Sequence, residues 1–530
     1  MSFRRWFLAA LAVSSASLPA VHAGNVQKPG LTLPANASIQ QDAVKQIFNT
    51  SYTAYKQYAW GHDDLAPVDE TYVDGLGGWG ASIADALGTM YLMGYTDWFE
   101  EAIDYVGTIN FNQSKTPDTV SVFETTIRYV GGFISAYELS GQKYPILVQK
   151  AQEVADKMVY GFVGDNPIPY NYINFTDNQP ASGTSNVAQA GSLTLEWGLL
   201  SQYTKNDTYS TLATNSVLHM IGLADPIAGI PAQGIDPATG ESVGSYVTWG
   251  GGTDSYLEYL IKYARLTNTN DTTYADAWAT AVDSSIQKLL RNSTVDDWLY
   301  LADFDGTNIL HVGSHLACFY GGNWILGGAL LNNQTIIDYG LQLTDACMNT
   351  YASTATQIGP ETFAYMSSDG NATGTTPPDA AQLAFYNEHG FYITTADYIL
   401  RPEVLESNFY AWRVSGDQKY LDNAAKAIQS FEKYLPTTVA YTGINDVNQV
   451  NSTKTNDMES FWFAEVLKYL YLTFDDPNNI SLDDWVFNTE CHPFKAPTAL
   501  PVYGSGNLIQ NSQPFASQSG SLPQVSPTHS

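Results

Sequence analysis

Ser140-Gly141-Gln142-Lys143-Tyr144 returns late in the chain as Ser415-Gly416-Asp417-Gln418-Lys419-Tyr420, and this repeated turn decides the fold. An apolar helical run precedes each copy, and an amphipathic run follows it. Looser versions are Gly94-Tyr95-Thr96-Asp97-Trp98, Thr204-Lys205-Asn206-Asp207-Thr208-Tyr209 and Asn270-Asp271-Thr272-Thr273-Tyr274. A short turn between two helices makes an αα-hairpin. First helices fall at about 80–93, 122–139, 191–203, 254–266, 315–331, 402–414 and 458–473, which makes seven. A lone hairpin cannot bury its apolar face, so the repeats must stack, as an open solenoid or a closed barrel. The first helices are rich in apolar and aromatic residues, as in Phe461-Trp462-Phe463 and Trp324-Ile325-Leu326. The second helices alternate apolar and polar faces, as over 150–159 and 423–434. An inner ring of first helices inside an outer ring of second helices accounts for that difference better than a one-sided solenoid. The expected class is all-α, with seven helical hairpins closed into a barrel.

Outside the repeats, Met1-Ser2-Phe3-Arg4-Arg5, an apolar run from Trp6 to Val13 and a small-residue site ending Val21-His22-Ala23 predict a signal peptide over 1–23. Residues 24–35 read as a loose lead-in, 36–500 as the main domain and 501–530 as a disordered tail rich in Ser, Gln and Pro. Eleven N-x-S/T sequons, at Asn36, Asn49, Asn112, Asn174, Asn206, Asn270, Asn292, Asn333, Asn371, Asn451 and Asn479, agree with a secreted glycoprotein. A net charge of −30 argues against nucleic-acid and anionic-membrane partners. No segment after the leader predicts stable membrane insertion, and a monomer in the secretory pathway lumen or outside the cell is expected. Three cysteines permit one disulfide and leave one thiol; pairing Cys318 with Cys347 would close a modest loop.

Asp85, Glu124, Glu196, Asp254 and Glu403 lie in or at the start of first helices, and Glu361 follows Pro360 as Glu403 follows Pro402. On an inner ring these acids can converge at one end of a barrel. Each also has an ordinary explanation. Glu124 can pair with Arg128 at the i,i+4 spacing. Ser255-Tyr256-Leu257-Glu258 reads as a capping box, and Pro402-Glu403 and Pro360-Glu361 read as plain helix starts. Jointly the pattern is harder to dismiss, because Glu403 and Glu406 share a face, as do Asp254 and Glu258, and like charges so placed cost stability. Many acids, few bases and 13% aromatics suit a carbohydrate site. Glycoside cleavage needs one carboxyl to protonate the leaving oxygen and a second as base or nucleophile. No P-loop, Rossmann, HExxH or GxSxG motif competes.

These residues fall in specific motifs: Gly78-Trp79-Gly80-Ala81 with Asp85-Ala86-Leu87; Phe123-Glu124-Thr125-Thr126-Ile127-Arg128; Asp254-Ser255-Tyr256-Leu257-Glu258-Tyr259; His315-Leu316-Ala317-Cys318-Phe319; Arg401-Pro402-Glu403-Val404-Leu405-Glu406-Ser407; Met458-Glu459-Ser460-Phe461; and Phe487-Asn488-Thr489-Glu490. Over about 36–500 the chain resembles glycoside hydrolase family 47, the class I α-1,2-mannosidases, in their secreted fungal form. The resemblance implies an (α/α)7 barrel and an inverting exo-hydrolase that trims terminal α-1,2-linked mannose from high-mannose N-glycans. It also implies a Ca2+ ion held by the hydroxyl and carbonyl oxygens of Thr489, and oxygen ligands suit that ion. Glu403 matches the general base, Glu124 and Asp254 the two candidates for general acid, and Glu361 a further pocket acid. Glu196, Glu406, Glu465 and Glu490 match surrounding acids, and Arg128, Arg401, His315 and Phe461 match substrate contacts. Cys318 and Cys347 fall where the family has its disulfide, which leaves Cys491 free. Some relatives carry a larger residue at the position of Gly252, in keeping with selectivity for one glycan branch; glycine there predicts broader trimming. The rival expectation is a glycan-binding quality-control factor of the same fold with little hydrolytic activity.

Overall fold

The computed structural model describes residues 24–509, so the predicted signal peptide over 1–23 and the part of the predicted tail over 510–530 lie outside the described residues. Among the described residues, seven inner and seven outer helices form two concentric rings, the predicted (α/α)7 barrel. Six hairpins follow one another along the chain. Ala81–Met93 pairs with Thr96–Thr108, the inner run over 122–139 with Pro145–Met158, and Thr194–Thr204 with Thr208–Ile221. Asp254–Thr267 pairs with Thr273–Lys288, Tyr320–Leu330 with Gln334–Ala352, and Glu403–Ser415 with Gln418–Tyr434. The turns work as the sequence suggests. Gly94 and Gly416 cap inner helices at φ 78° and 67°, a left-handed conformation that glycine adopts without a Cβ clash.

Burial separates the rings. Every residue of Tyr320–Leu330 is buried. Gln418–Tyr434 buries one stripe, including Tyr420, Leu421, Ala424, Ala427, Ile428 and Phe431, at the 3–4 spacing of a helix with one wet face.

The seventh hairpin is not built as its neighbours are. Its inner helix is Trp462–Val466, a π turn, continued by Leu467–Phe474, and its outer partner is the N-terminal helix Ala37–Tyr58. Phe463 packs edge-on against Phe48 and Tyr52, with ring centroids 5.3 and 5.5 Å away, and the Trp462 indole N–H donates to Ser51 Oγ at 3.1 Å. The two ends of the chain thus close the ring. The helix also starts at Trp462, later than the expected 458.

The long connections carry short antiparallel sheets. Val120–Ser121 runs directly into an inner helix, Ser185–Asn186 into the short helix Val187–Gly191 just before one, and Val312–Ser314 leads to the turn Leu316–Phe319. These strands therefore gather at the end of the barrel where inner helices begin. From the other end a hairpin, Trp485–Phe487 paired with Pro493–Lys495, plugs the barrel. Ser135 Oγ donates to the Pro493 carbonyl at 2.8 Å, Glu138 accepts from the Lys495 N–H at 2.7 Å, and Arg265 donates to the carbonyls of Pro497 and Asp483 at 2.8 and 2.6 Å. Those three residues lie late in their inner helices, so the tip of the hairpin, 488–491, points up toward the helix starts.

Two stretches read as loose are tied to the barrel. In the lead-in, Val26 and Gln27 N–H groups donate to Asp483 Oδ1 at 2.7 and 3.1 Å, and the buried Gln27 side chain accepts from Arg413 at 2.8 Å. Within 501–509, Ser505 and Ile509 N–H groups donate to Asp276 Oδ1 and Thr280 Oγ1 at 2.7 and 2.8 Å. Composition alone cannot register such side-chain acceptors on a distant helix. Among the described residues no helix is long and apolar enough to cross a membrane.

Cys318 and Cys347 form a disulfide between the turn leading into the fifth inner helix and its outer partner, across a separation of 29 residues. Loop entropy for that span is about 3 to 4 kcal/mol. Replacing both cysteines by serine is expected to lower unfolding free energy by about that amount, read by urea titration. An unchanged midpoint would show that the bond adds nothing to the packed pair.

Candidate active site

A cavity of about 260 Å³ opens at the end of the barrel where inner helices begin. Its acids stand where the sequence places them. Asp254 and Glu403 are the first residues of their helices, and Glu124 lies in the first turn of Val122–Thr125, whose cap Ser121 accepts from the Glu124 N–H at 3.2 Å. Helix starts favour negative charge, so the fold can hold acids there at reduced cost. Glu124, Arg128, Asp254, Arg401, Glu403, Glu406, Phe461, Glu465, Thr489 and Glu490 all line this cavity.

On one wall a single guanidinium organises three carboxylates. Arg128 donates to Glu124 Oε2 from Nε at 3.0 Å, reaches Asp85 Oδ2 at 3.4 Å and Ser460 Oγ at 3.0 Å, and pairs with Glu490. The Phe461 ring lies 5.6 Å from its Cζ, a cation–π contact. Behind it, burial and the nearby Lys468 push His492 down to about 4, so the ring is neutral and its Nε2–H donates to Asp85 at 3.2 Å. Burial alone would raise Asp85, but His492 and Arg128 hold its carboxyl below the usual range. The run over 122–139 passes through a π turn at Thr126–Val130, and Glu465 sits in the π turn of the seventh inner helix. Such turns mark places where a helix is re-aimed, often at functional sites.

On the facing wall, Glu403 accepts from His315 Nδ1 at 2.8 Å and lies 3.7 Å from Arg401 Nη1. His315 Nε2 in turn lies 2.7 Å from the Tyr351 hydroxyl, so the ring is held from both sides. Burial would raise Glu403, but His315 and Arg401 outweigh it and hold the carboxyl below the ordinary glutamate range. Asp254 has no cation partner among the described residues. Burial, joined by the charges of Glu258 and Glu403, pushes it up to about 7 against the Ser255 N–H that donates to it at 2.7 Å. Two acids on one cavity are thus pushed apart, Asp254 up and Glu403 down, the arrangement that separates a proton donor from a base. Burial and Glu258 raise Glu406 to about 8, and Glu465 and Glu490 are also raised, chiefly by burial.

Three expected residues stand back from the cavity wall. Glu361 accepts from Arg401 Nε at 2.7 and 2.8 Å and so positions that guanidinium. His315, expected to touch substrate, is 1% exposed and works through Glu403. Glu196, also expected among the site acids, is fully buried and accepts from the Tyr259 hydroxyl at 2.6 Å and from Asn488 Nδ2 at 2.7 Å. Burial raises it to about 7. Glu258 is not a cap: it pairs with buried Lys262, one turn on. Sequence reading gave no role to Asn488, Lys262 or His492. Lys262 had a visible signal in its i,i+4 spacing from Glu258, whereas the other two act only through tertiary contacts.

Asn488 rivets the tip of the plugging hairpin. Its Oδ1 accepts from the Glu490 and His492 N–H groups at 3.0 and 2.7 Å, and its Nδ2 donates to the Ile127 carbonyl at 3.0 Å as well as to Glu196. That fixes Thr489 on the cavity floor with its hydroxyl and carbonyl oxygens engaged by no other group among the described residues. Around it stand Glu406, Glu465 and Glu490, an excess of carboxyl groups that burial and acidic neighbours raise and that a bound cation would hold ionised. These free oxygens and excess carboxylates fit a hard cation. Among the described residues no group of three or more His, Cys, Asp or Glu side chains forms a direct cage. An ion there would rely on Thr489, waters and ligand hydroxyls, with the acids behind them.

The model of the family described as Glycosyl hydrolase family 47 matches residues 47–496. A probable mannosyl-oligosaccharide alpha-1,2-mannosidase 1B of Aspergillus clavatus is 39% identical over 513 residues, covering 92% of this chain and 97% of the relative. The mannosyl-oligosaccharide alpha-1,2-mannosidase 1B of Aspergillus phoenicis is 36% identical over 510 residues, covering 92% and 98%. Among solved structures, an alpha-1,2-mannosidase from Trichoderma reesei superposes with a TM-score of 0.84 at 38% identity, covering 87% of this chain and 99% of that one.

Proposed function

We propose that this chain, which belongs to glycosyl hydrolase family 47, is an α-1,2-mannosidase that trims terminal mannose from high-mannose N-glycans, with inversion and in dependence on calcium. The observation that carries this reading is that one cavity holds both Asp254, which has no cation partner among the described residues and is raised by burial, and Glu403, which His315 and Arg401 contact and hold below the ordinary range. Asp254 is the general acid that protonates the departing glycosidic oxygen. Glu403 is the base that takes a proton from a water on the opposite face of the sugar, and a single displacement then inverts the anomeric centre. Glu124 is held by Arg128, which orients it toward the sugar hydroxyls. Phe461 offers an apolar face to the ring. Arg401, positioned by Glu361, keeps Glu403 charged. Thr489 would hold the calcium ion, which when bound supplies a positive centre that orients sugar hydroxyls and water.

The test is incubation with a high-mannose glycan while free mannose and its anomer are followed by NMR. Release of β-mannose is expected first; release of α-mannose would replace inversion by retention, and no release would end the hydrolase reading.

The same pair sets the pH response. Activity needs Asp254 protonated and Glu403 ionised. On the alkaline side kcat/KM is expected to fall as Asp254 loses its proton near pH 7. On the acid side it falls only below the ordinary glutamate range, because Glu403 is lowered. Asp254→Asn is expected to remove the alkaline limb along with most of the rate. An alkaline limb that survives in Asp254→Asn would assign the acid to another group.

Gly252 lines the cavity two residues before Asp254, at φ 87°, and a Cβ there would lie 2.9 Å from the Gln233 side chain. Gln233 covers that position, but glycine adds no larger side chain of its own to the approach, and the four terminal α-1,2 mannoses of a full glycan are expected to leave at comparable rates. Arrest after one mannose in a time course would overturn this.

A further inference from the structure

A second cavity, about 690 Å³, lies behind the wall that carries Glu361 and His315. Its floor is the sheet of Val312–Ser314, Thr362–Ala364 and Tyr392–Thr395. In register, Ser314 stands opposite Thr362 and Thr362 opposite Thr395, a cross-strand row of hydroxyls. Thr362 Oγ1 shares hydrogen bonds of 2.7 Å with both Thr394 and Thr395. On the facing side, Asp303 accepts from the Tyr246 hydroxyl at 2.7 Å, and the rim turn brings Thr373 and Thr375 hydroxyls within 2.9 Å of each other.

The chemistry of this lining is selective. No Lys, Arg or His lines it, so it does not suit an anion. Hydroxyls that donate and accept, two carboxylates (Asp303 partly buried, Asp379 at the exposed rim) and the Tyr246 ring suit a neutral polyhydroxylated ligand. The cavity also shares a thin wall with the catalytic one. Along 316–320, Leu316 and Phe319 line the catalytic cavity, whereas Ala317 and Tyr320 line the second. The His315 N–H donates to the Glu361 carbonyl at 2.9 Å, and the next residues on either strand, Ser314 and Thr362, face the second cavity.

We propose that this second cavity is a subsite for a remote branch of a neutral oligosaccharide whose terminal sugar occupies the catalytic cavity. The proposal rests on the hydrolase reading above. One other source offers the same chemistry: the sequon Asn371-Ala372-Thr373 is at the rim, so a glycan on Asn371 of the chain itself could enter.

The experiment compares two substrates, α-1,2-mannobiose and a branched high-mannose glycan, on wild type and on Thr376→Arg and Thr394→Arg. Both substitutions fall on exposed positions of separate segments, and Asp303→Asn serves as a milder third variant. Each is also made with Asn371→Gln. Expected is kcat/KM on mannobiose within about twofold of wild type and a fall of about tenfold on the branched glycan, as loss of one or two hydrogen bonds gives. Unchanged rates on both substrates, or equal falls on both, overturn the subsite. If Asn371→Gln alone raises the rate on the branched glycan and the arginines then change nothing, the occupant is the chain's own glycan and the substrate subsite is overturned. Wild type that cleaves neither substrate removes the hydrolase reading and the subsite with it.

Discussion

Glu403→Gln is expected to lower kcat by about a thousandfold or more while the protein stays folded, since a positioned base contributes about 10² to 10⁴. The amide keeps the shape of the side chain and can still accept from His315, whose contact with Glu403 Oε2 is 2.8 Å. What it loses is the ability to take a proton from water. Circular dichroism and thermal midpoint, measured beside single-turnover release of mannose, separate chemistry from folding. Turnover within tenfold of wild type, with the fold intact, would remove Glu403 from the role of base. The matching His315→Ala variant acts through Glu403, so it is expected to shift the acid limb of the pH profile upward as well as to slow the reaction.

Removing calcium is the second large effect. Exhaustive chelation is expected to abolish release of mannose, and added Ca2+ to restore it. Thr489→Val keeps the carbonyl oxygen but deletes the hydroxyl, so it should weaken calcium binding while leaving the Asn488 rivet in place. Stability gives a readout independent of turnover. A ligand at one hundred times its Kd adds about 2.7 kcal/mol to the folded state, and here it also relieves the repulsion among Glu406, Glu465 and Glu490. Calcium titration should therefore raise the thermal midpoint of wild type, and should do so in Thr489→Val only at higher concentration. Full activity after thorough chelation would defeat the calcium reading, whatever the midpoint does.

The helices were legible because their information is local. The turn Ser140–Tyr144 and its repeat at Ser415–Tyr420 carry glycine where the backbone must turn left-handed, and the contrast between apolar and amphipathic runs separates inner from outer ring. The closing of the ring was not legible. Nothing near Phe463 states that its neighbours are Phe48 and Tyr52. The same division holds at the site. Asp254 and Glu403 announce themselves at helix starts, and motif resemblance gathers the other acids. Their working differences come from contacts that only the fold creates. His315 reaches Glu403 across a separation of 88 residues, and Arg128 reaches Glu490 across 362. Residues 501–509 and 24–35 show the reverse error, in which a polar composition suggests looseness and a few distant acceptors impose order.

The N-terminal helix Ala37–Tyr58 has a consequence for how the protein comes into being. It is made before the other helices of the barrel, yet its partner Trp462 lies 411 residues beyond Ser51. During synthesis part of its apolar face can pack early, Phe48 on Tyr95 and Tyr52 on Trp98 with ring centroids 5.4 and 5.3 Å apart, but the side that meets Phe463 must wait for almost the whole chain. Contacts of such long sequence separation form slowly, and exposed apolar surface invites misassembly in the interval. The floor of the active site arrives later still, because the Asn488 tip is translated after the last inner helix. A nascent chain stopped before that hairpin would have walls without a floor, so the protein cannot become competent piece by piece.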